Sequence, residues 1–293
     1  MDKNPPPFVV ILDLDGTVVG NVNFQSQQFS LHLTLKKYGF KTNKQHNIPP
    51  AFHPQSKLVR PYFKQFIKEL EAHFIKQGIA IYFFVYTASQ KTWANVEVNY
   101  IEKTHGIKLQ RPIFTRDDCI TDSNGNIRKS LQKIYPRIIK VLSKNHHITN
   151  RERNIILENQ LLMIDNNAVY TDRSDKLLLC PDYSYTVFEN LLHGIPIESR
   201  NHAAMQQLIF SLVNGGFICP LPNEKDDGMR SLTRQYSWLA TKCKSLTDMN
   251  TTFENDDFFK YLKRLIIENN IKQFSPSIIK QLQDATWKHM KKR

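Results

Sequence analysis

Short unbroken apolar runs alternate with stretches whose apolar residues recur every three or four positions, and polar residues cluster where the runs stop. The first run, Phe8-Val-Val-Ile-Leu-Asp-Leu, is short and β-branched, the pattern of a parallel strand buried on both faces. Ile79 to Tyr86 repeats the pattern, as does Gln160-Leu-Leu-Met-Ile-Asp, while Pro112 to Cys119 and Leu177-Leu-Leu-Cys predict two weaker strands. Two of these runs end in carboxylates, and one ends in Thr87-Ala-Ser89.

Between the runs the period changes. Pro61 suits the first turn of a helix, and Phe63, Phe66, Ile67, Leu70 and Phe74 then recur at helical spacing as far as Gly78. Thr87-Ala-Ser89 stops a strand and offers a cap for a helix over about Trp93 to Lys103. Asp122-Ser-Asn-Gly-Asn126 carries an Asn-Gly turn before Ile127-Arg-Lys129, which predicts a small hairpin. Further helices are predicted over Gln25 to Tyr38, Tyr135 to Ser143, Ser231 to Cys243 and Asp256 to Glu268, with a polar connection between Ser143 and Gln160.

Apolar strands alternating with helices predict an α/β fold: a doubly wound, mostly parallel Rossmann-type sheet with right-handed crossovers and ligands at the carboxyl ends of its strands. The alternation stops near Asn214-Gly-Gly. The expected organisation is a domain over residues 1–215 and a basic helical extension over 216–293. In the extension, Trp238, Phe258, Tyr261, Leu262, Leu265 and Ile266 read as core contacts or as a face for a second subunit.

Composition adds limits. With 41% hydrophobic and 23% charged residues, a packed core is expected and disorder is not. Cys119, Cys180, Cys219 and Cys243 lack the short paired spacing of a zinc ribbon, so free thiols in a reducing compartment are expected. No apolar run approaches the roughly 18 residues that cross a bilayer, so a soluble intracellular protein, cytoplasmic or nuclear, is expected. The net charge of +13 favours an acidic partner such as a phosphorylated segment or nucleic acid, although a basic surface also serves solubility.

The candidate chemistry lies at the strand ends. Asp13 and Asp15 are two residues apart, so on a regular strand their carboxylates share a face. Two carboxylates held together attract a cation, and hard oxygen ligands suit magnesium. Alone, Asp-Leu-Asp-Gly also suits a solvated turn, Thr87 a helix cap, and Asp165-Asn166-Asn167 a strand-ending turn. Lys129 follows the hairpin with Lys133 as a rival, and His146-His147 reads as a solvated loop rather than a metal pair.

Taken together, Asp13-Leu-Asp-Gly-Thr17, Tyr86-Thr87-Ala-Ser89, Lys129 and Ile164-Asp165-Asn166-Asn167 resemble the four motifs of haloacid dehalogenase (HAD) superfamily phosphatases. More narrowly, Val59-Arg-Pro-Tyr-Phe-Lys-Gln-Phe and Phe114-Thr-Arg-Asp-Asp-Cys119 are similar to segments of the small RNA-polymerase C-terminal-domain phosphatases, the NLI-interacting-factor-like branch. The resemblance covers about Phe8 to Val213. It implies that Asp13 attacks phosphorus to form an aspartyl-phosphate, that Asp15 acts first as acid and then as base, and that Thr87 and Lys129 bind the phosphoryl group. It also implies magnesium held by Asp13, the main-chain carbonyl of Asp15 and Asn166, with Asp165 on or beside the metal.

Departures from the branch bear on substrate. Gly16 stands where the branch typically has Glu, Lys129-Ser-Leu131 replaces its Lys-Asp-Leu, and Ser123 or Asn124 replaces a hairpin arginine. The stretch from Lys129 to Asp165 is also long, and Asn21 to Leu58 is too short for a full lid, so an open site is expected. The resemblance therefore implies a Ser/Thr phosphoprotein or phosphopeptide substrate. A nucleic-acid end phosphatase, with Lys288, Lys291, Lys292 and Arg293 on backbone phosphates, is one alternative. A non-catalytic binding module on the same fold is another.

Overall fold

The structure, a computed structural model, describes residues 5–20, 59–183 and 256–291. Two compact units divide the chain: Met1–Val19 with Val59–Tyr183 and Asn255–Arg293, and Gly20–Leu58 with Ser184–Glu254. The sheet belongs to the first.

That sheet has four parallel strands: β1 (Phe8–Leu12), β2 (Ile81–Val85), β5 (Leu161–Asp165) and β6 (Leu177–Leu179), in the order β2-β1-β5-β6. β1 lies between β2 and β5 and every one of its residues is buried, which is why its sequence is apolar without alternation. The register pairs Leu12 with Val85 on one side and with Ile164 on the other. The next residues of the three strands, Asp13, Tyr86 and Asp165, therefore emerge level at one end of the sheet.

Helix α1 (Phe63–Lys76) buries the five predicted residues Phe63, Phe66, Ile67, Leu70 and Phe74. Helix α2 (Lys91–His105) follows β2 and stops at Gly106, whose φ of 59° suits a left-handed cap. The predicted hairpin is β3 (Ile120–Thr121) paired antiparallel with β4 (Ile127–Arg128). Its turn is tied by Asp122, whose carboxylate accepts from the Asn124 and Asn126 N–H groups and from Arg128 Nε.

The expected strand at Pro112 to Cys119 is reduced to one bridge between Tyr86 and Phe114, followed by a short 3-10 turn at Arg116–Asp118. Pro112 has no N–H to extend a ladder, and Thr115 caps the turn together with Asp118. Helix α3 (Leu131–Leu142) begins four residues before its predicted start, because Ser130 caps it. The expected polar connection contains helix α4 (Asn150–Asn159), opened by a Thr149/Glu152 capping box. His146 is more than a solvated loop residue: its Nε2 lies 2.6 Å from the Tyr82 hydroxyl.

Two helices of the carboxyl-terminal segment are described, α5 (Phe258–Glu268) and the unexpected α6 (Pro276–Met290), and both pack on the sheet unit. Phe259 of α5 meets Phe63 and Phe66 of α1, with ring centroids 5.2 and 4.9 Å apart. Asp256 accepts two 3.0 Å hydrogen bonds from Nε of the fully buried Arg60. From α6, Gln283 donates to and accepts from the Leu179 backbone, and Trp287 Nε1 donates to the Leu179 carbonyl. These side chains occupy backbone groups that an edge strand would otherwise present for pairing. Phe258, Leu262 and Ile266 are core residues, as expected, whereas Trp238 lies outside the described residues. So do the expected domain boundary at 215, the helices at 25–38 and 231–243, and the segment 21–58. Cys119 and Cys180 are buried free thiols. Among the described residues no helix is long and apolar enough to cross a membrane.

Candidate active site

Asp13 leaves β1, Thr87 follows β2, Asp165 ends β5, and Lys129 follows the hairpin; all four are almost wholly buried. Lys129 Nζ lies 2.5 Å from Asp13 Oδ1 and 2.7 Å from Asp165 Oδ2. The Tyr86 and Tyr170 rings flank the ammonium, with centroids 5.7 and 5.8 Å away. The rival, Lys133, points elsewhere: its Nζ donates to the carbonyls of Cys119 and Asp117.

The backbone of Lys129 is pinned from both sides. Its N–H donates to the Val169 carbonyl, and its own carbonyl accepts from the N–H and hydroxyl of Thr171. Directly after it, Asp172 receives the Ser130 hydroxyl and the N–H groups of Leu131 and Gln132 at the start of α3. The loop that follows Asp165 thus holds both the lysine and the helix behind it.

Burial pushes the Asp13 carboxyl up to about 7; Lys129 pulls against this, and the negative charges of Asp165 and Asp15 add to it. For Lys129, burial favours the neutral amine, but Asp13 and Asp165 outweigh it and hold the ammonium above its ordinary range. On α2, Glu97 is buried, and burial together with the charges of Asp15 and Asp13 holds its carboxyl well above the ordinary range.

Asp15 is half-buried, and its Oδ2 accepts from Thr87 Oγ1 at 3.2 Å and Ser89 Oγ at 2.6 Å. Thr17 is buried and links the first and last motifs. Its hydroxyl donates to Asn166 Oδ1 at 3.1 Å and accepts from the Asn166 N–H at 2.9 Å. Asn166 Nδ2 in turn donates to Asp182 Oδ1 at 2.8 Å. The six sequence-predicted site residues fall into two hydrogen-bonded groups joined through the Asp13–Thr17 loop: Asp13, Lys129, Asp165 and Asn166 through Lys129 and Thr17, and Asp15 with Thr87. Sequence reasoning assigned no role to Ser89, Glu97, Asp172 or Asp182. Ser89 belongs to the Tyr86–Ser89 motif, whereas Asp172 and Asp182 are loop acids whose partners become apparent only after folding.

The donor chemistry fits a hard cation. Among the described residues, Asp13, Asp15 and Asp165 bring three carboxylates against the ammonium of Lys129, and the side-chain donors beside Asp13 are mostly oxygen, with the Cys180 thiol 3.6 Å from Thr17 Oγ1. Asp165 is already committed, with Oδ2 on Lys129 and Oδ1 accepting from the Asn167 N–H. Among the described residues no three His, Cys, Asp or Glu side chains form a ready ligand cluster. A cation here would therefore depend on the Asn166 amide oxygen and main-chain carbonyls as well as Asp13.

A parallel α/β sheet with paired aspartates just past the end of β1, a buried lysine between two carboxylates and a hydroxyl from the neighbouring strand end is the arrangement expected of a HAD-type phosphatase. The family model of the NLI interacting factor-like phosphatases matches residues 8–198, and the chain belongs to that family. No curated protein matches it. Among solved structures it is similar to the fission yeast RNA polymerase II CTD phosphatase Fcp1 bound to beryllium fluoride, at 16% identity and a TM-score of 0.32, over 86% of this chain and 67% of that one. A second Fcp1 structure, described as an essential RNA polymerase II CTD phosphatase, gives 15% identity and a TM-score of 0.34 over 94% of this chain and 69% of that one. A HAD family hydrolase from Deinococcus radiodurans with bound phosphate and sodium gives 13% identity and a TM-score of 0.30 over 74% and 99%. Family membership rests on the family model, not on these distant likenesses.

Proposed function

We propose that this phosphatase removes phosphate from phosphorylated Ser or Thr side chains of proteins, in two displacements at Asp13 with magnesium as its cation. The observation that supports this best is a buried Asp13 held by Lys129 next to an Asp15 held by two hydroxyls. Asp13 attacks phosphorus to give an aspartyl-phosphate, and Asp15 supplies a proton to the departing serine or threonine oxygen. Asp15, now ionised, takes a proton from the water that releases phosphate.

The remaining groups orient these two. Lys129 holds the nucleophile and offsets phosphoryl charge, sharing its own charge with Asp165. Thr87, whose hydroxyl reaches Asp15, hydrogen-bonds a phosphoryl oxygen when substrate enters. Asp13, the Asp15 carbonyl and Asn166 Oδ1 would hold magnesium, with Asp165 supporting Lys129 rather than ligating. When bound, magnesium neutralises phosphate charge, so that a carboxylate can approach it.

Family membership supports this substrate class, and the charge of +13 favours nucleic-acid ends as the competing class. The test compares kcat/KM on a phosphoserine peptide, p-nitrophenyl phosphate and an end-phosphorylated oligonucleotide, each over a range of salt. The peptide should lead by roughly tenfold or more with a shallow salt slope. A lead for the oligonucleotide that collapses with salt would replace this substrate class with nucleic-acid ends.

A further inference from the structure

The amide of Asn166 has two ends of similar size and opposite use to a cation. Its Oδ1 attracts one and its NH2 repels one, so the side chain serves a metal only when turned the right way. Thr17 does not decide the matter, because a hydroxyl both donates and accepts and would tolerate either end. Asp182 does decide it. Its carboxylate accepts only, and its Oδ1 lies 2.8 Å from the far end of the Asn166 amide, so that end must be the NH2. Flipping the amide would set two oxygens against each other. The acceptor end is thereby left on the side of Thr17, whose hydroxyl also lies 3.5 Å from Asp13 Oδ2.

Gly16 makes this contact possible. Its φ is +79°, a conformation L side chains rarely adopt, and a Cβ there would sit 2.4 Å from both Asn166 Nδ2 and Asp182 Oδ1. Those are the two atoms of the hydrogen bond, so any side chain at 16 would push into the pair. The segment carrying Asp182 is fastened to the same loop, since the Tyr183 N–H donates to the Gly16 carbonyl at 2.8 Å.

We propose that Asp182 is a positioning residue for the magnesium site, fixing the Asn166 amide with its oxygen toward Asp13, and that Gly16 is there to admit it. This rests on reading Asn166 as a magnesium ligand, and the experiment separates the two ideas. Magnesium binding to the full chain is measured by titration calorimetry without substrate for wild type, Asp182→Ala, Asp182→Asn and Asn166→Ala. The magnesium dependence of phosphate release is measured beside it. Loss of such a supporting partner typically weakens metal binding by about 10- to 100-fold. Asp182→Ala should raise the magnesium Kd and the half-saturating magnesium concentration by that factor, with a smaller change in kcat at saturating magnesium. Asp182→Asn, whose amide oxygen can accept the same hydrogen bond, should recover much of the loss. If Asn166→Ala weakens magnesium binding while Asp182→Ala binds as wild type does, the role of Asp182 is refuted and that of Asn166 stands. If Asn166→Ala itself binds magnesium normally, the ligand reading fails and the proposal falls with it.

Discussion

Lys129 and Asp13, 116 residues apart in sequence, meet at 2.5 Å inside the protein, with the lysine ammonium shared onward to Asp165. Among the described residues neither carboxylate pairs with another cation. Removing Lys129 therefore removes the charge that offsets two buried acids and, in the proposed mechanism, the phosphoryl group.

Lys129→Met should lower kcat by about 100- to 1,000-fold, the usual loss when a preorganised electrostatic partner is removed. Stability should fall as well, by about 3–5 kcal/mol at alkaline pH, because the stranded carboxylates stay buried. Lys129→Arg should not restore kcat, since a planar guanidinium does not fit a site shaped for a compact ammonium. Steady-state kinetics and urea unfolding of the three proteins check this.

Glu97 predicts a pH signature in stability. Its folded carboxyl is held above the ordinary value of 4.5, so the folded state keeps a proton that the unfolded chain gives up. The sign follows: the contribution of Glu97 to stability is fully present below 4.5 and declines as pH rises toward its folded value. Glu97→Gln removes that titration, and its Tm should fall less than wild type's as pH is raised from about 5 to 8. Parallel Tm curves for the two proteins would mean that Glu97 is ionised in the fold.

Asp256 and Arg60 join the carboxyl-terminal segment to the sheet unit through a pair whose arginine is wholly buried. Asp256→Ala strands that guanidinium among Phe258, Phe259 and Tyr183 and should cost about 3–5 kcal/mol in urea unfolding. The double replacement Arg60→Met with Asp256→Leu should cost less than Asp256→Ala alone, because no charge is left buried. Equal losses would show that the segment is held mainly by its apolar contacts.

Much of the fold is legible in the sequence for a definite reason. A parallel strand covered on both faces needs an unbroken apolar run, and β1, β2 and β5 have one. Helix α1 is equally plain, because all its buried residues lie on one face. Helix α4 is not, since it buries only Ile156; its visible signal was Thr149 three residues before Glu152. Helix α6 begins Ser275-Pro276, a start signal followed by a weakly amphipathic stretch.

The site divides in the same way. Asp13, Asp15, Thr87 and Asp165 stand at strand ends, where topology alone gathers side chains. Asp182 is an exposed loop acid, and its relation to Asn166 depends on β6 returning the chain over Gly16. No local pattern encodes that approach. Glycine at position 16 departs from the branch in sequence, but its meaning comes from the two atoms a side chain would strike.

The central claim is that Asp13 carries the phosphoryl group. Rapid acid quenching during turnover of a phosphopeptide with magnesium, followed by mass mapping, tests it most directly. Wild type should yield a hydroxylamine-sensitive phosphoryl adduct on the peptide containing Asp13, and Asp13→Asn should yield neither adduct nor released phosphate. An Asp13→Asn protein that is folded and releases phosphate at the wild-type rate would contradict the account.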